Sequence, residues 1–392
     1  MQLQDGSTPQ RGGWALWNLG FRPFYLVASV FAVVSVILWA CEYAGWLPGS
    51  YMQTPFRHAH EMLFGYTLAV IAGFLLTAVR NWASRPTPSG APLAMLVALW
   101  IAGRVMVLTP FDVASALVNA GFPLALAVAI GRPLVAAGNR RNYFFIVLLV
   151  ALSAIEILVH GAELEWVRLP ETIGLQLGLD VVLFIVCVIA GRVIPMFTNN
   201  GVPGAGATRN AVVERAALGS VLALIAADAF ALEGAGLIAL LGLAALAHFA
   251  RWILWRPWRT SRTPLVWILH LAYAWVPAYL LLRILAIEGH VAPPWAIHAL
   301  TIGVIGGMTL GMMTRTARGH TGRPLVAGAP EVAMYVLVQL AAVMRVFGPL
   351  VAGDAYVVTV VAAAALWAAA FALYVLRYGP LLASPRADGK PG

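Results

Sequence analysis

The residues Phe56-Arg57-His58-Ala59-His60-Glu61-Met62-Leu63-Phe64-Gly65 open an apolar run that ends at Arg80-Asn81-Trp82, and this stretch decides the fold. About 20 predominantly apolar residues suffice to cross a bilayer. The run therefore reads as a transmembrane helix with two imidazoles and a carboxylate at its mouth. Ionisable groups there are costly and call for partners. The stretch also recurs. An ungapped offset of 238 residues sets His60 on His298, Gly65 on Gly303, Gly73 on Gly311 and Arg80 on Arg318. It also lays Arg85-Pro86 on Arg323-Pro324 and Gly90-Ala91-Pro92 on Gly328-Ala329-Pro330. A middle copy follows from Val188-Ile189-Ala190-Gly191, which repeats Val70-Ile71-Ala72-Gly73, with Gly178 where the outer copies have histidine. Three related units are expected, spanning 20–138, 139–258 and 259–378 of one membrane domain that occupies residues 1–392.

Composition agrees with that reading. Of 392 residues, 61% are hydrophobic and 10% charged, with mean hydropathy +0.85. Soluble domains carry roughly 25% charged residues, so the chain is expected to be an all-α integral membrane protein. A formal net charge of +9 raises the question of nucleic acid. The arginines sit at the ends of apolar runs, however, where they set topology, and nucleic acid is excluded as a partner; the bilayer is the partner. Cys41 and Cys187 each lie inside an apolar run, so no disulfide framework is implied. Residues 1–20 lack the basic start and short apolar core of a cleaved leader, and the first span is expected to stay as an anchor.

Apolar runs begin near Pro23, Arg57, Gly90, Asp112, Arg141, Glu171, Val212, Ala235, Thr263, Pro294, Pro330 and Gly353. About twelve spans follow, although Gly121 and Pro123 interrupt the fourth. Leu47-Pro48-Gly49-Ser50, Arg85-Pro86-Thr87-Pro88-Ser89-Gly90 and Gly201-Val202-Pro203-Gly204 mark breaks between runs. With the amino terminus inside, one side collects Arg11, Arg80, Arg132, Arg251, Arg315 and Arg377, while the other keeps little beyond Arg57 and Arg168. The positive-inside rule then puts both termini in the cytoplasm. His58, His60 and His298 fall at the outer end, which in a bacterial setting faces the periplasm.

Neutral imidazole is the commonest metal ligand, and haem iron accepts it axially. Residues two apart on a helix point about 200° from each other. If the helix has begun by His58, then His58 and His60 serve different faces; if it has not, both can turn to one ion. The plain alternative is an interfacial histidine donating to a carbonyl. His60 and His298, at equal depth on two helices of the same direction, suit one b-type haem clamped between them. Copper, completed by His58, is the competing ligand. Arg104, Arg283 and Arg345 lie inside apolar runs and match haem propionates through a bidentate fork, against snorkelling or pairing with Glu61 or Glu156. His270, with Tyr273 on the same face, is a further haem or copper candidate. His248 and His320, beside arginines, read as interfacial, and His160 and His290 fall in outer connections. Met308, Met312, Met313, Met196 and Cys187 form a soft copper path or, more plainly, gap-filling core. Asp180 and Asp228 are buried carboxylates that relay protons or pair with Arg192. No covalent haem attachment motif is present, so any haem is held non-covalently.

Taken together, Gly20-Phe21-Arg22-Pro23-Phe24, His58-Ala59-His60-Glu61-Met62-Leu63-Phe64-Gly65, Ala72-Gly73-Phe74-Leu75-Leu76-Thr77-Ala78, His298-Ala299-Leu300-Thr301, Met313-Thr314-Arg315 and Gly319-His320-Thr321-Gly322-Arg323-Pro324 resemble the NnrS family of bacterial inner-membrane proteins. The resemblance covers nearly the whole chain. It implies haem and copper, nitric oxide metabolism and defence against nitrosative stress, with His58, His60, His298 and His320 as ligands. A looser likeness in architecture joins the chain to the large subunit of haem-copper oxidases, where helices two and ten clamp a low-spin haem. This chain departs from that pattern on helices six and seven, which lack the histidines of a second metal centre. Three functions stay open: a haem protein that binds nitric oxide or passes electrons to an unidentified partner, a transporter or metal-handling protein, and a nitric oxide reductase-like enzyme.

Overall fold

The computed structural model describes residues 14–47, 55–168 and 170–390. Arg11 and the break at Pro48-Gly49-Ser50 lie outside the described residues. Within them there are twelve principal helices and no strand: α1 (Phe21–Tyr43), α2 (Phe56–Ala83), α3 (Ala91–Met106), α4 (Asp112–Ala136), α5 (Phe144–Glu163), α6 (Glu171–Gly201), α7 (Ala211–Ala229), α8 (Ala235–Leu254), α9 (Pro264–Ile287), α10 (Pro293–His320), α11 (Ala329–Ala352) and α12 (Tyr356–Ala383). Ten of these are long and apolar enough to cross a membrane. The other two are α3, only 16 residues long, and α7, which carries Glu214, Arg215 and Asp228. The chain is thus a multi-pass membrane protein, as a backbone that must satisfy its own hydrogen bonds in lipid requires.

The expected interruption of the fourth span does not occur. α4 runs unbroken through Gly121, Pro123 and Pro133. Neighbouring helices can supply the hydrogen bonds a proline disturbs, and here the Ser153 hydroxyl on α5 donates to the Ala120 carbonyl at 2.7 Å. The starts are set by local chemistry. The Asn210 side chain accepts from the amides of Val212 and Val213 to cap α7, and paired prolines open α10 in its first turn.

The helices close on themselves: α12 packs along both α11 and α1. Arg22, fully buried, fastens that seam by donating to the carbonyls of Leu382 and Ser384, each at 2.8 Å. Phe21 joins α1 to α2 through its amide, which donates to the Thr77 hydroxyl at 3.1 Å. The amide of Ala15 reaches the Ala383 carbonyl at 2.8 Å, so both ends of the described chain meet on one side. Gly322 sits there at φ +73, and a Cβ on it would fall 2.7 Å from the Asp388 carboxyl carbon. Only glycine combines that conformation with that approach. In the same segment, outside the spans, the hydrogen bond from Arg386 holds the Asp388 carboxyl down to about 2.

Two spans depart from α geometry at matching places. In α2 the stretch Glu61–Thr67 is π-helical, and in α10 so is Ala299–Gly306. Each π stretch begins immediately after the histidine that the 238-residue offset aligns, His60 or His298. The α6 segment, with Gly178 at that place, is helical throughout without such a stretch. Wide turns of this kind are rare and concentrate at functional sites.

Candidate functional site

A cavity of about 410 Å³ opens at the end opposite the termini. It lies among the last turns of α1 and α11 and the first turns of α2, α6, α10 and α12. Its size falls in the roughly 300–1,000 Å³ range of small-molecule sites. The walls are mostly apolar, and the polar side chains among them include His58, His298, Arg345, Tyr43 and Tyr356.

His298 follows Pro293-Pro294 by one turn, so its ring lies beside the Pro294 carbonyl of the preceding turn. Its Nδ1 is 2.5 Å from the Pro294 oxygen. A carbonyl only accepts, so Nδ1 carries the proton and Nε2 keeps its lone pair. This arrangement fixes a metal-ligating imidazole. His58 comes from the other side, stacked on the Trp39 indole with centroids 4.1 Å apart and planes 18° apart. Its Nδ1 is buried and has no hydrogen-bond partner. Arg345 on α11, 8% exposed, donates to the Tyr356 hydroxyl at 3.2 Å, and among the described residues no carboxylate lies in ion-pair range of it. A buried cation facing a cavity without a protein counter-ion is a site for an anionic group.

His60 points elsewhere. Because the helix has begun by Pro55, residues 58 and 60 face apart. His60 is 3% exposed and meets the Glu61 carboxylate at 2.9 Å, which Arg104 grips at 2.6 Å. His58, not His60, therefore shares the cavity with His298. Arg104 also donates to the Asn119 side chain and is occupied by protein groups. Arg283 forks onto Asp228 at 2.8 and 2.9 Å and stands 4.0 Å from Asp180. Both carboxylates meet Arg283 rather than Arg192, which donates to Asn142 at 2.7 Å. Of the three arginines, Arg345 alone lines the cavity. His270 is held by the Thr198 hydroxyl at 2.8 Å, and His320 rests on the Phe21 ring at the terminal end, 5.6 Å between centroids. Neither joins a group of metal-ligating side chains among the described residues. Met308, Met312 and Met313 are buried core, whereas Met196 is 46% exposed.

Two residues that complete the surroundings of His60, Glu156 and His160, lie one turn apart on α5. His160 is inside that helix and not in a connection, because the apolar run continues to Glu163. Their spacing of four residues was the available signal. Trp39 and Tyr356 carried none.

The cavity also sets a packing limit. A Cβ on Gly306 would stand 2.5 Å from the Trp367 ring, which lines the cavity and is pinned by its indole N–H donating to the Ala32 carbonyl at 3.1 Å. Gly306→Ala is expected to cost about 1–3 kcal/mol by overpacking. Gly319, whose nearest neighbour would be 3.7 Å away, is the control. Thermal unfolding in detergent should separate the two.

Fold and cavity together define a multi-pass helical membrane protein with an imidazole-lined, cofactor-sized cavity. The chain belongs to the NnrS protein family, which it matches over residues 15–386. No curated protein compared with it matches.

Proposed function

We propose that this chain is a haem protein of the bacterial inner membrane, serving nitric oxide metabolism and defence against nitrosative stress. Family membership supports the link to nitric oxide. The observation that carries haem is that His58, His298 and Arg345 line one cavity. Haem is an apolar plate with two carboxylates and two axial positions. The donor set fits: a freed Nε2 on His298, a histidine with an unpartnered Nδ1 at position 58, apolar walls and a guanidinium that pairs with no carboxylate among the described residues.

In this reading His298 and His58 would hold the haem iron and Arg345 would bind a propionate. The bound haem supplies electron transfer and, where a coordination position opens, affinity for nitric oxide. Trp39 sets the plane of the His58 ring by stacking. The two ligands are held unequally. The Pro294 carbonyl locks His298, while His58 has no hydrogen bond at Nδ1 to fix its rotation. His58 is thus the less firmly held of the two imidazoles. With both imidazoles taken up by haem, copper would need another donor set. Arginine placement supports cytoplasmic termini and a periplasmic cavity.

Two measurements test the proposal. Purified protein should show a Soret band with split α and β bands on reduction, shifted by anaerobic nitric oxide; a spectrum without haem would favour a transporter or metal-handling role. Sustained nitric oxide reduction by the chain alone is not expected. A reductase needs a second metal beside an open position, and α6 and α7 offer Asp180 and Asp228, already committed to Arg283. With pre-reduced protein and an electron donor, consumption at tens per second, an ordinary enzymatic rate, would contradict this and restore the reductase.

A further inference from the structure

The face of α2 turned away from the cavity carries an independent arrangement. His60 from α2 meets Glu156 and His160 from α5, and one ligand atom from each lies within 4.8 Å of the others. All three residues are buried, at 3%, 1% and 6% exposed. His60 Nε2, His160 Nε2 and both Glu156 oxygens have no hydrogen-bond partner. A buried polar atom left unsatisfied costs roughly 1–3 kcal/mol, more when charged. Four such atoms on three neighbouring side chains, with His60 Nε2 3.7 Å from Glu156 Oε1, are not explained by packing. We propose that His60, Glu156 and His160 form a second metal site, separate from the haem cavity, for a divalent first-row transition ion.

The chemistry of the three ligands selects that class. Two imidazoles and a carboxylate suit borderline ions such as Cu(II), Zn(II) or Fe(II), and not the all-oxygen cages of Ca²⁺ and Mg²⁺ or the thiolate and thioether sites of Cu(I). Three protein ligands leave a position open. Bonds of about 2.0–2.2 Å in tetrahedral geometry set ligand atoms about 3.3–3.6 Å apart; His60 Nε2 and Glu156 Oε1 already stand 3.7 Å apart, and side-chain shifts of up to about 1 Å complete the site.

The second shell is already assembled. Nδ1 of His60 faces the Glu61 carboxylate at 2.9 Å, and a carboxylate accepts, so the proton sits on Nδ1 and Nε2 turns to the ion. Arg104 anchors Glu61 at 2.6 Å, completing a carboxylate–histidine–metal relay. Charge agrees as well: Arg104 offsets Glu61 and leaves Glu156 for a cation. Access comes from a recess at the end opposite the termini, lined by His60 and His160 together with Phe56, Val107, Asp112 and Glu163. His58 and His60 thus divide one helical turn between two sites.

The test is titration of metal-depleted full-length protein in detergent with copper(II), read by bound metal per chain and by nitrogen couplings in its electron paramagnetic resonance spectrum. One ion per chain with two coupled nitrogens is expected. Glu156→Gln, of the same shape, and His160→Ala should each weaken binding at least about 100-fold, beyond the 10–100-fold typical of second-shell changes. His298→Ala should leave it unchanged. The haem spectrum of each sample, recorded in parallel, should be unaltered in Glu156→Gln, which also reports that this variant folds. Equal copper binding in wild type and both α5 variants would overturn the proposal. So would loss of copper in His298→Ala, which would put the ion in the cavity.

Discussion

Replacing Arg283 with alanine is expected to destabilise the protein by about 3–5 kcal/mol, the usual cost of stripping one partner from a buried ion pair. Asp228 loses both bonds of its fork, and Asp180, whose side chain is 1% exposed, loses the only cation near it among the described residues. Gln176 donates to Asp180 at 2.9 Å but brings no charge. The loss should be partly recovered in Arg283→Ala/Asp228→Asn, where one carboxylate fewer is left without a counter-charge, and the coupling between the two sites should be evident in a double-mutant cycle. Thermal or denaturant unfolding in detergent is the measurement. A single-variant change below about 1 kcal/mol, the level of an exposed pair, would mean that Arg283 is not the group that neutralises these carboxylates.

The second large effect concerns the cavity. His298→Ala is expected to abolish six-coordinate haem and cut bound haem per chain several-fold, because the remaining imidazole, His58, has nothing to fix its orientation at Nδ1. His58→Ala should instead keep haem with one ligand, since the His298 ring stays locked to the Pro294 carbonyl. His60→Ala should leave the haem spectrum as it is, because His60 faces Glu61 and α5. Pyridine haemochrome quantitation and absorption spectra check all three. Haem loss in His60→Ala comparable to that in His298→Ala would contradict the division of faces on α2.

Much of this was legible in the residues. Hydrophobic runs placed all twelve helix starts to within a few residues, because in lipid each run must close its own hydrogen bonds. The two-residue spacing of His58 and His60 already required two faces once the helix began before them. What the repeat did not convey is who faces whom. An offset that aligns His60 with His298 says nothing of whether the two rings face each other. α2 lies between the cavity and α5, so its two histidines separate, and only His58 lines the cavity with His298. The π-helical stretches were invisible too, since their wide turns leave no trace in a count of apolar residues. Arg104, Arg283 and Arg345 look alike in sequence. What distinguishes them is the carboxylate each meets, Glu61 and Asp228 for the first two.

The account rests on one coordination sphere, and electron paramagnetic resonance of the oxidised, purified protein at low temperature reports it most directly. A low-spin ferric signal with the g-values of two imidazole ligands, present in wild type and His60→Ala and absent in His298→Ala, is the predicted result. A high-spin signal in wild type, or a low-spin one that survives in His298→Ala, would show that His58 and His298 do not hold the iron.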